Sequence, residues 1–299
     1  MLIKYRENNN WCWISHINPT MQLAPNPKLC YKLAMKKFAI CYNQEISHSV
    51  EIKDKLNKIL SAKGIDAEVL NIDNLKDGFD FVFVIGGDGT ILKSARFYAK
   101  YKTPVFGINL GRLGFLSQSS KEEIEASVEK ILNGDFLIQD RIMLESGEYT
   151  ALNDFVIKGC DLGRTSRFSL KINGKFVCDY LADGVIISTP TGSTAYGLSA
   201  GGPVLAPMLK AFVIVPICPH TLTARPIVVP DCEEITVCTD KKMQYVLSTD
   251  GQELYEFDSE VKIKKSQYSA KLALLEGTEF YSILQNKLHW AMPPAYEKY

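Results

Sequence analysis

The run Phe79-Asp80-Phe81-Val82-Phe83-Val84-Ile85 is β-branched and aromatic, which reads as a buried strand, and it leads straight into Gly86-Gly87-Asp88-Gly89-Thr90. A helix-like stretch from Ile91 to Lys100 follows. Strand, glycine turn and helix in that order restrict the fold strongly, because the unit belongs in a sheet flanked by helices. The three glycines allow a sharp turn with positive φ, and the helix start offers unpaired N–H groups to an anion. A phosphate fits there. Asp88 would repel it unless its carboxylate is aimed at another group, such as a hydroxyl whose proton it accepts. For so short a motif the structural alternative is a plain strand-to-helix turn with Asp88 near a helix N-terminus.

From Lys37 to Gly134 the pattern alternates between strand and helix, which predicts a parallel sheet covered by helices. Phe38 to Tyr42 reads as the first strand. Ile52, Leu56, Ile59 and Leu60 then mark one helix face closed by Gly64. Strands are predicted at Ala67 to Ile72, Phe79 to Ile85 and Pro104 to Asn109. Ser120-Lys121-Glu122-Glu123 reads as a capping box ahead of a helix ended by Gly134. In an open sheet of this kind the ligand lies beyond the carboxyl ends of the strands, where Asp88 and the Asn109 to Phe115 loop would sit.

After Arg141 short β-prone runs recur: Ala151 to Ile157, Phe168 to Ile172, Lys175 to Tyr180, Gly184 to Ser188, Ala211 to Ile217, Glu234 to Cys238, Tyr245 to Ser248, Val261 to Lys264 and Ala270 to Leu275. Asn173-Gly174 is a hairpin signal between two of them. Thr278 to Trp290 returns to helical spacing. The expected architecture is an α/β nucleotide-binding domain, a parallel sheet with flanking helices over 35–140, followed by an all-β-rich domain over 141–276. The helix within 277–299 is expected to return to the first domain, and 1–34 reads as a poorly ordered leader.

Lys plus Arg equals Asp plus Glu at 34 each, so no global field draws in nucleic acid or anionic lipid, and any anion site must be local. Eight scattered cysteines without a C-x-x-C pair fit a reduced, cytoplasmic setting. No apolar stretch of membrane-spanning length occurs. The four histidines share no metal-ligand spacing, so metal ligands stay unknown, and no G-x-x-x-x-G-K-[ST] sequence is present.

Two further stretches hold candidate chemistry. Thr189-Pro190-Thr191-Gly192-Ser193-Thr194-Ala195-Tyr196, running on to Ser199-Ala200-Gly201-Gly202-Pro203, brings small hydroxyl residues and glycines close to a polar ligand, with Tyr196 available to stack on a ring. Asn153-Asp154 falls inside a strand pattern, where the two side chains would point to opposite faces. Asn presents a donor and an acceptor while an ionised Asp only accepts, a pair suited to ribose hydroxyls or an adenine amine. An edge-strand bend is the alternative. Asp183 and Asp250-Gly251-Gln252 add polar points, although Asp250-Gly251 by itself reads as a hairpin turn. Lys93, Arg112, Arg141, Arg164 and Arg167 are cations able to neutralise phosphates.

Taken together and in this order, Gly86 to Thr90, Gly107 to Leu116, Asn153-Asp154, Thr189 to Tyr196, Ser199 to Pro203 and Pro219 to Pro226 resemble the NAD kinase family over nearly all of Met35 to Trp290. The resemblance implies transfer of the ATP γ-phosphoryl group to the 2′-hydroxyl of the adenosine ribose of NAD, giving NADP. It also implies a divalent metal, with Mg²⁺ expected, and a homo-oligomer, dimer or tetramer. Asp88 is then the general base, and Gly86, Gly87 and Gly89 shape the turn around phosphates. Asn153, Asp154, Asp183, Thr194, Ala195, Tyr196 and Ser199 hold NAD with Gln252 at the rim, and Lys93 and Arg164 are further contacts. Where some members carry a basic residue two positions before the equivalent of Asp183, this chain has Leu181, which leaves Arg164 or Arg167 to serve. Two alternatives share parts of the pattern: a diacylglycerol or sphingosine kinase of the same superfamily, and a dinucleotide-binding regulator without catalysis. Polyphosphate in place of ATP stays open.

Overall fold

The computed structural model describes residues 35–111, 114–161, 165–240, 243–276 and 280–288, together with the backbone of 3–7 and 10–14. Within the predicted leader, β1 (Ile3–Glu7) pairs antiparallel with β2 (Asn10–Ile14), and the rest of 1–34 lies outside the described residues.

Four parallel strands form one end of an 11-stranded sheet: β3 (Phe38–Tyr42), β4 (Ala67–Asn71), β5 (Phe81–Ile85) and β6 (Val105–Ile108), in the order β4-β3-β5-β6. Every residue of β5 is fully buried, as a parallel strand covered on both faces requires. One face packs against α1 (Ser47–Ala62) and α3 (Ile124–Asn133) through Leu56, Leu60, Val128 and Ile131. Phe38, Phe81, Phe83, Phe106 and Phe136 interlock there, with Phe81 and Phe83 ring centroids 5.2 Å apart. Each such aromatic pair adds roughly 1 kcal/mol beyond its area burial. The other face packs against α2 (Asp88–Ala99) through Ile91, Leu92, Ala95 and Tyr98. The chain leaves β3 to one side for β4 and returns to the other for β5, so the topological switch lies between β3 and β5. The Gly86 turn opens at its carboxyl end.

Ser120 donates from both its N–H and its hydroxyl to Glu123, the reach-back half of the expected box, and Gly134 closes α3 in the left-handed region. A short strand, β7 (Ser117–Ser119), joins β6.

The second half is built from antiparallel strands: β8 (Leu137–Ser146), β9 (Tyr149–Ala151), β10 (Asp154–Gly159), β11 (Ser166–Ile172), β12 (Lys175–Ala182), β13 (Gly184–Ser188), β14 (Ala211–Ile217), β15 (Ile227–Pro230), β16 (Ile235–Thr239), β17 (Tyr245–Thr249), β18 (Glu253–Phe257) and β19 (Glu260–Leu274). The six-stranded sheet β15-β14-β13-β10-β17-β18 faces β12-β11-β16 across a core that includes Phe155, Phe168, Phe212 and Tyr245. Asn173 and Gly174 both take positive φ in the β11–β12 hairpin, as their sequence predicts.

Two expectations change. Val261 to Lys264 and the run predicted from Ala270 to Leu275, which ends as a strand at Leu274, belong to one long strand, β19, which pairs with β16 at its start and with β8 and β6 further on. Its alternation is interrupted by a register shift between Lys265 and Ser269, which is why the sequence reads as two strands. β19 and β8 thereby carry hydrogen bonding from one half into the other. Second, Leu152 and Asn153 form a bend between β9 and β10, so Asn153 precedes the strand and only Asp154 enters it. The last helix, α5 (Phe280–Leu288), buries Ile283 and Leu284 and sets Phe280 at 6.5 Å from Phe115 in the β6–β7 loop. Residues 277–279 and 289–299 lie outside the described residues.

Candidate active site

Gly87 precedes α2 with extended φ and ψ, and Asp88 is the first helical residue. None of Gly86, Gly87 and Gly89 takes positive φ, contrary to the expectation for this turn. Space decides instead: a Cβ on Gly86 would strike the Thr90 side chain.

Asp88 is turned away from its own helix. Its Oδ2 accepts from the Phe115 N–H at 2.9 Å and its Oδ1 from the Leu116 N–H at 3.2 Å. The loop is shaped for this by Asn109, whose Oδ1 accepts from the Gly111 N–H at 2.6 Å, and by Ser117, whose Oγ accepts from the Gly114 N–H at 2.6 Å. A Cβ on Gly114 would overlap the Asp88 carboxylate, so only glycine lets the loop approach. The two amides orient the carboxylate with one edge left to solvent. The Lys287 ammonium, from α5, stands 3.7 Å from Oδ2 and 5.2 Å above the Phe115 ring.

The second group of polar residues is organised by Asp250. With Gly251 it makes the β17–β18 hairpin turn, φ 53° and 66°, as the dipeptide predicts. Its fully buried carboxylate does more. It accepts the N–H groups of Leu152 at 3.1 Å, Asn153 at 2.7 Å and Asp154 at 3.1 Å, and meets Arg96 Nη1 at 3.4 Å. Arg96 also donates to Glu253 at 2.6 Å. Arg96 belongs to α2, the helix that starts with Asp88, so one buried ion pair ties that helix to the Asn153–Asp154 bend. A second tie is close by, where the Gln252 amide donates to the Gly89 carbonyl at 2.8 Å.

Asp154 is buried, and burial followed by the neighbouring Asp250 pushes its carboxyl from the ordinary 3.8 up to about 7. Burial also raises Asp250, against the pull of its three amides and Arg96. Asn153, Asp154, Lys158, Ala195, Tyr196 and Gly251 help to line a cavity of about 420 Å³. Tyr196 sits at its mouth, with Lys158 donating to its hydroxyl at 2.9 Å and lying 5.0 Å from the ring centroid. The Thr189–Tyr196 stretch is locked from beneath. Thr189 donates to the Leu152 carbonyl at 2.6 Å, and a Cβ on Gly192 would overlap the Asn153 backbone.

The sequence candidates therefore divide. Asp88, Gly86, Gly87, Gly89 and Gln252 cluster at the sheet's carboxyl edge, and Asn153, Asp154, Ala195 and Tyr196 share the cavity next to it. Thr194 ends the short 3-10 turn and Ser199 lies exposed at the end of α4 (Tyr196–Ser199); neither is among the residues that line the cavity. Asp183 is elsewhere. It precedes Gly184, at the end of β13 opposite to Ser188, the partner of Asp154, which puts it ~15 Å along the strand. Lys93 pairs with Asp73 at 2.8 Å and lines a different cavity, of about 520 Å³, with Arg96, Lys100, Tyr149 and Tyr255. Arg141 is buried, and its Nη1 donates to Thr191 at 3.2 Å. Arg164 and Arg112 lie outside the described residues. Arg96, Lys158 and Lys287 were not singled out by sequence, since only tertiary contact brings them to the site.

The N-terminal domain profile of ATP-NAD kinases matches residues 22–136, and the corresponding C-terminal domain profile matches 152–275. A curated NAD kinase of Carboxydothermus hydrogenoformans is 42% identical over 236 residues, covering 75% of this chain and 84% of the relative. One from Clostridium botulinum is 37% identical over 273 residues, covering 86% and 97%. The fold superposes on an Archaeoglobus fulgidus NAD kinase solved with ATP at a TM-score of 0.72 and 29% identity, over 85% of this chain and 98% of that one. A yeast NADH kinase solved with NADH, 21% identical, shares the fold at a TM-score of 0.78 over 88% and 90% of the two chains. With both domain profiles matched in order and the glycine turn, the clamped bend and the cavity placed side by side, the chain belongs to the NAD kinase family.

Proposed function

We propose that this enzyme phosphorylates NAD, moving the γ-phosphoryl group of ATP to the 2′-hydroxyl of the adenosine ribose to give NADP, with Asp88 as the general base. The observation that carries the reading is the pair of ties, Arg96 to Asp250 and Gln252 to Gly89, which set the Asp88 turn and the Asn153–Asp154 cavity side by side. The cavity takes the adenosine end. Tyr196 offers a ring face, Asn153 a donor and an acceptor, and Asp154 a carboxyl that near neutral pH both accepts from and donates to ribose hydroxyls. The 2′-hydroxyl then faces Asp88, whose solvent-side edge takes its proton as the oxygen attacks phosphorus. The start of α2 and the open backbone at Gly87 receive phosphate oxygens. Phosphoryl transfer asks for positioning and charge neutralisation more than for covalent chemistry, and this arrangement supplies positioning.

Among the described residues no group of three His, Cys, Asp or Glu side chains is placed to hold a metal. Mg²⁺ would accompany ATP, bound chiefly by phosphates and water, a mode that asks for no more than one or two protein carboxylates. Self-association is supported by edge strand β12, where Phe176 is 64% exposed and Val177 and Leu181 also face solvent. Among the described residues no helix is long and apolar enough to cross a membrane, and the scattered cysteines suit a cytoplasmic setting.

The relatives are named for NAD or NADH, which supports a dinucleotide acceptor over a lipid. Incubating the purified protein with NAD, ATP and Mg²⁺ should yield NADP. Bound NAD without NADP would point to a regulator, and phosphorylated diacylglycerol would point to a lipid kinase.

A further inference from the structure

We propose that Lys287, on the last helix, is a second catalytic residue: its ammonium binds the γ-phosphoryl oxygens of ATP while Asp88 takes the acceptor's proton. The inference rests on the reading of Asp88 given above and adds a protein cation to it.

The reaction moves an anionic group through a protein of zero net charge, so any cation beyond the Mg²⁺ that accompanies ATP must come from a specific side chain. Most of the nearby cations are engaged elsewhere. Lys93 is held by Asp73 at 2.8 Å, Arg96 by Asp250 and Glu253, and Lys158 by the Tyr196 hydroxyl. Arg141 is buried on Thr191. Among the described residues, Lys287 is the cation found beside Asp88, at 3.7 Å from Oδ2.

Its helix is placed for this. Ile283 and Leu284 are 7% and 1% exposed and anchor α5, and Lys287 follows them by four and three residues, on the same side of the helix. Both Asp88 oxygens already accept backbone N–H groups, and 3.7 Å is long for a tight hydrogen bond. The lysine side chain is 32% exposed, so its three donors remain open to a further acceptor and its flexible stem can follow it. A hydroxyl losing its proton to Asp88 comes within ~3 Å of the carboxylate. The phosphorus it attacks is then inside the sweep of the ammonium. In the step, the bond from the 2′-oxygen to Pγ forms and the bond from Pγ to the bridging oxygen breaks. The hydroxyl proton passes to Asp88, and ADP leaves with the electron pair. Lys287 gains most as negative charge spreads over the equatorial oxygens.

If Lys287 merely fastened α5 to the first half, removing it would lower stability without singling out ATP. The test uses the full chain and compares Lys287→Met, Lys287→Arg and Asp88→Asn for kcat, KM of each substrate, NAD binding by calorimetry, and melting temperature. The expected result for Lys287→Met is a loss in kcat of about a hundredfold with a raised KM for ATP. NAD binding should change by less than about threefold, and Lys287→Arg should regain about a tenth or more of the lost turnover. Unchanged kcat and ATP KM in Lys287→Met would overturn the proposal. So would an arginine variant as inactive as the methionine one, with both melting early. Should Lys287→Met fail to fold, the ATP KM of Lys287→Gln against Lys287→Arg decides. Full turnover in Asp88→Asn would remove the general base alone, because the effect of Lys287 on the ATP KM is read independently.

Discussion

Asp88 and Asp154 are both carboxylates at the proposed centre, and the two halves of the molecule treat them oppositely. In the α/β half Asp88 stands at a sheet edge, about one third exposed, oriented by two backbone amides with a lysine nearby. In the β-rich half Asp154 is buried at the start of a strand, next to a second buried acid, and its carboxyl is pushed up to about 7. A group that must exchange a proton with a transient partner needs an open edge and a fixed direction. One that binds a sugar hydroxyl gains from sitting in low dielectric, where each hydrogen bond is stronger. On the proposed reading one fold separates reaction from recognition while keeping them adjacent: helix α2 starts at Asp88 and, through Arg96, grips the turn that clamps the Asp154 bend.

Variants on either side should separate the two roles. Asp88→Asn keeps the shape and should cut kcat by at least about a hundredfold with little change in NAD binding, measured by steady-state kinetics and calorimetry. Near-normal turnover would erase the contrast. Arg96→Gln leaves the Asp250 carboxylate buried without its counterion, so chemical denaturation should report a loss of about 2 kcal/mol, with weakened NAD binding because the bend loosens. If stability were unchanged, the ion pair would not be what joins the halves.

Asp154→Asn should sharpen the recognition side through pH. A carboxyl raised from 3.8 to about 7 by folding favours the native state below pH 4 and loses that contribution as pH rises toward 7. The wild-type should therefore lose stability over this window through this group. The asparagine variant should show a flatter profile and a gain in stability above pH 7, in melts across pH 4 to 8. A steeper profile in the variant would contradict the burial argument. Lys93→Ala is the smallest change expected, within about twofold in kcat and in the KM of both substrates, because the lysine spends its charge on exposed Asp73. A tenfold rise in either KM would return Lys93 to the site.

The local chemistry of this chain is legible along the sequence. The β5 run has only one reading as a buried strand before a glycine turn, and Asn173-Gly174 and Asp250-Gly251 form the hairpins their dipeptides demand. Leu152–Asn153 misleads because apolar neighbours on both sides imitate a continuous strand, and the bend there depends on Asp250, distant in sequence. β19 misleads in the reverse sense, its register shift imitating a loop.

By itself, then, the order of residues determined the class of each half, the turn that presents Asp88 and the family to which the chain belongs, because short-range periodicity and turn chemistry act within a few residues. Tertiary structure alone decided that Asp88 is held by the Phe115 and Leu116 amides, that Arg96 and Asp250 join the halves, and that Lys287 reaches the carboxylate. Those are contacts between segments far apart in the chain, and burial and charge take their values only once packing has removed the water.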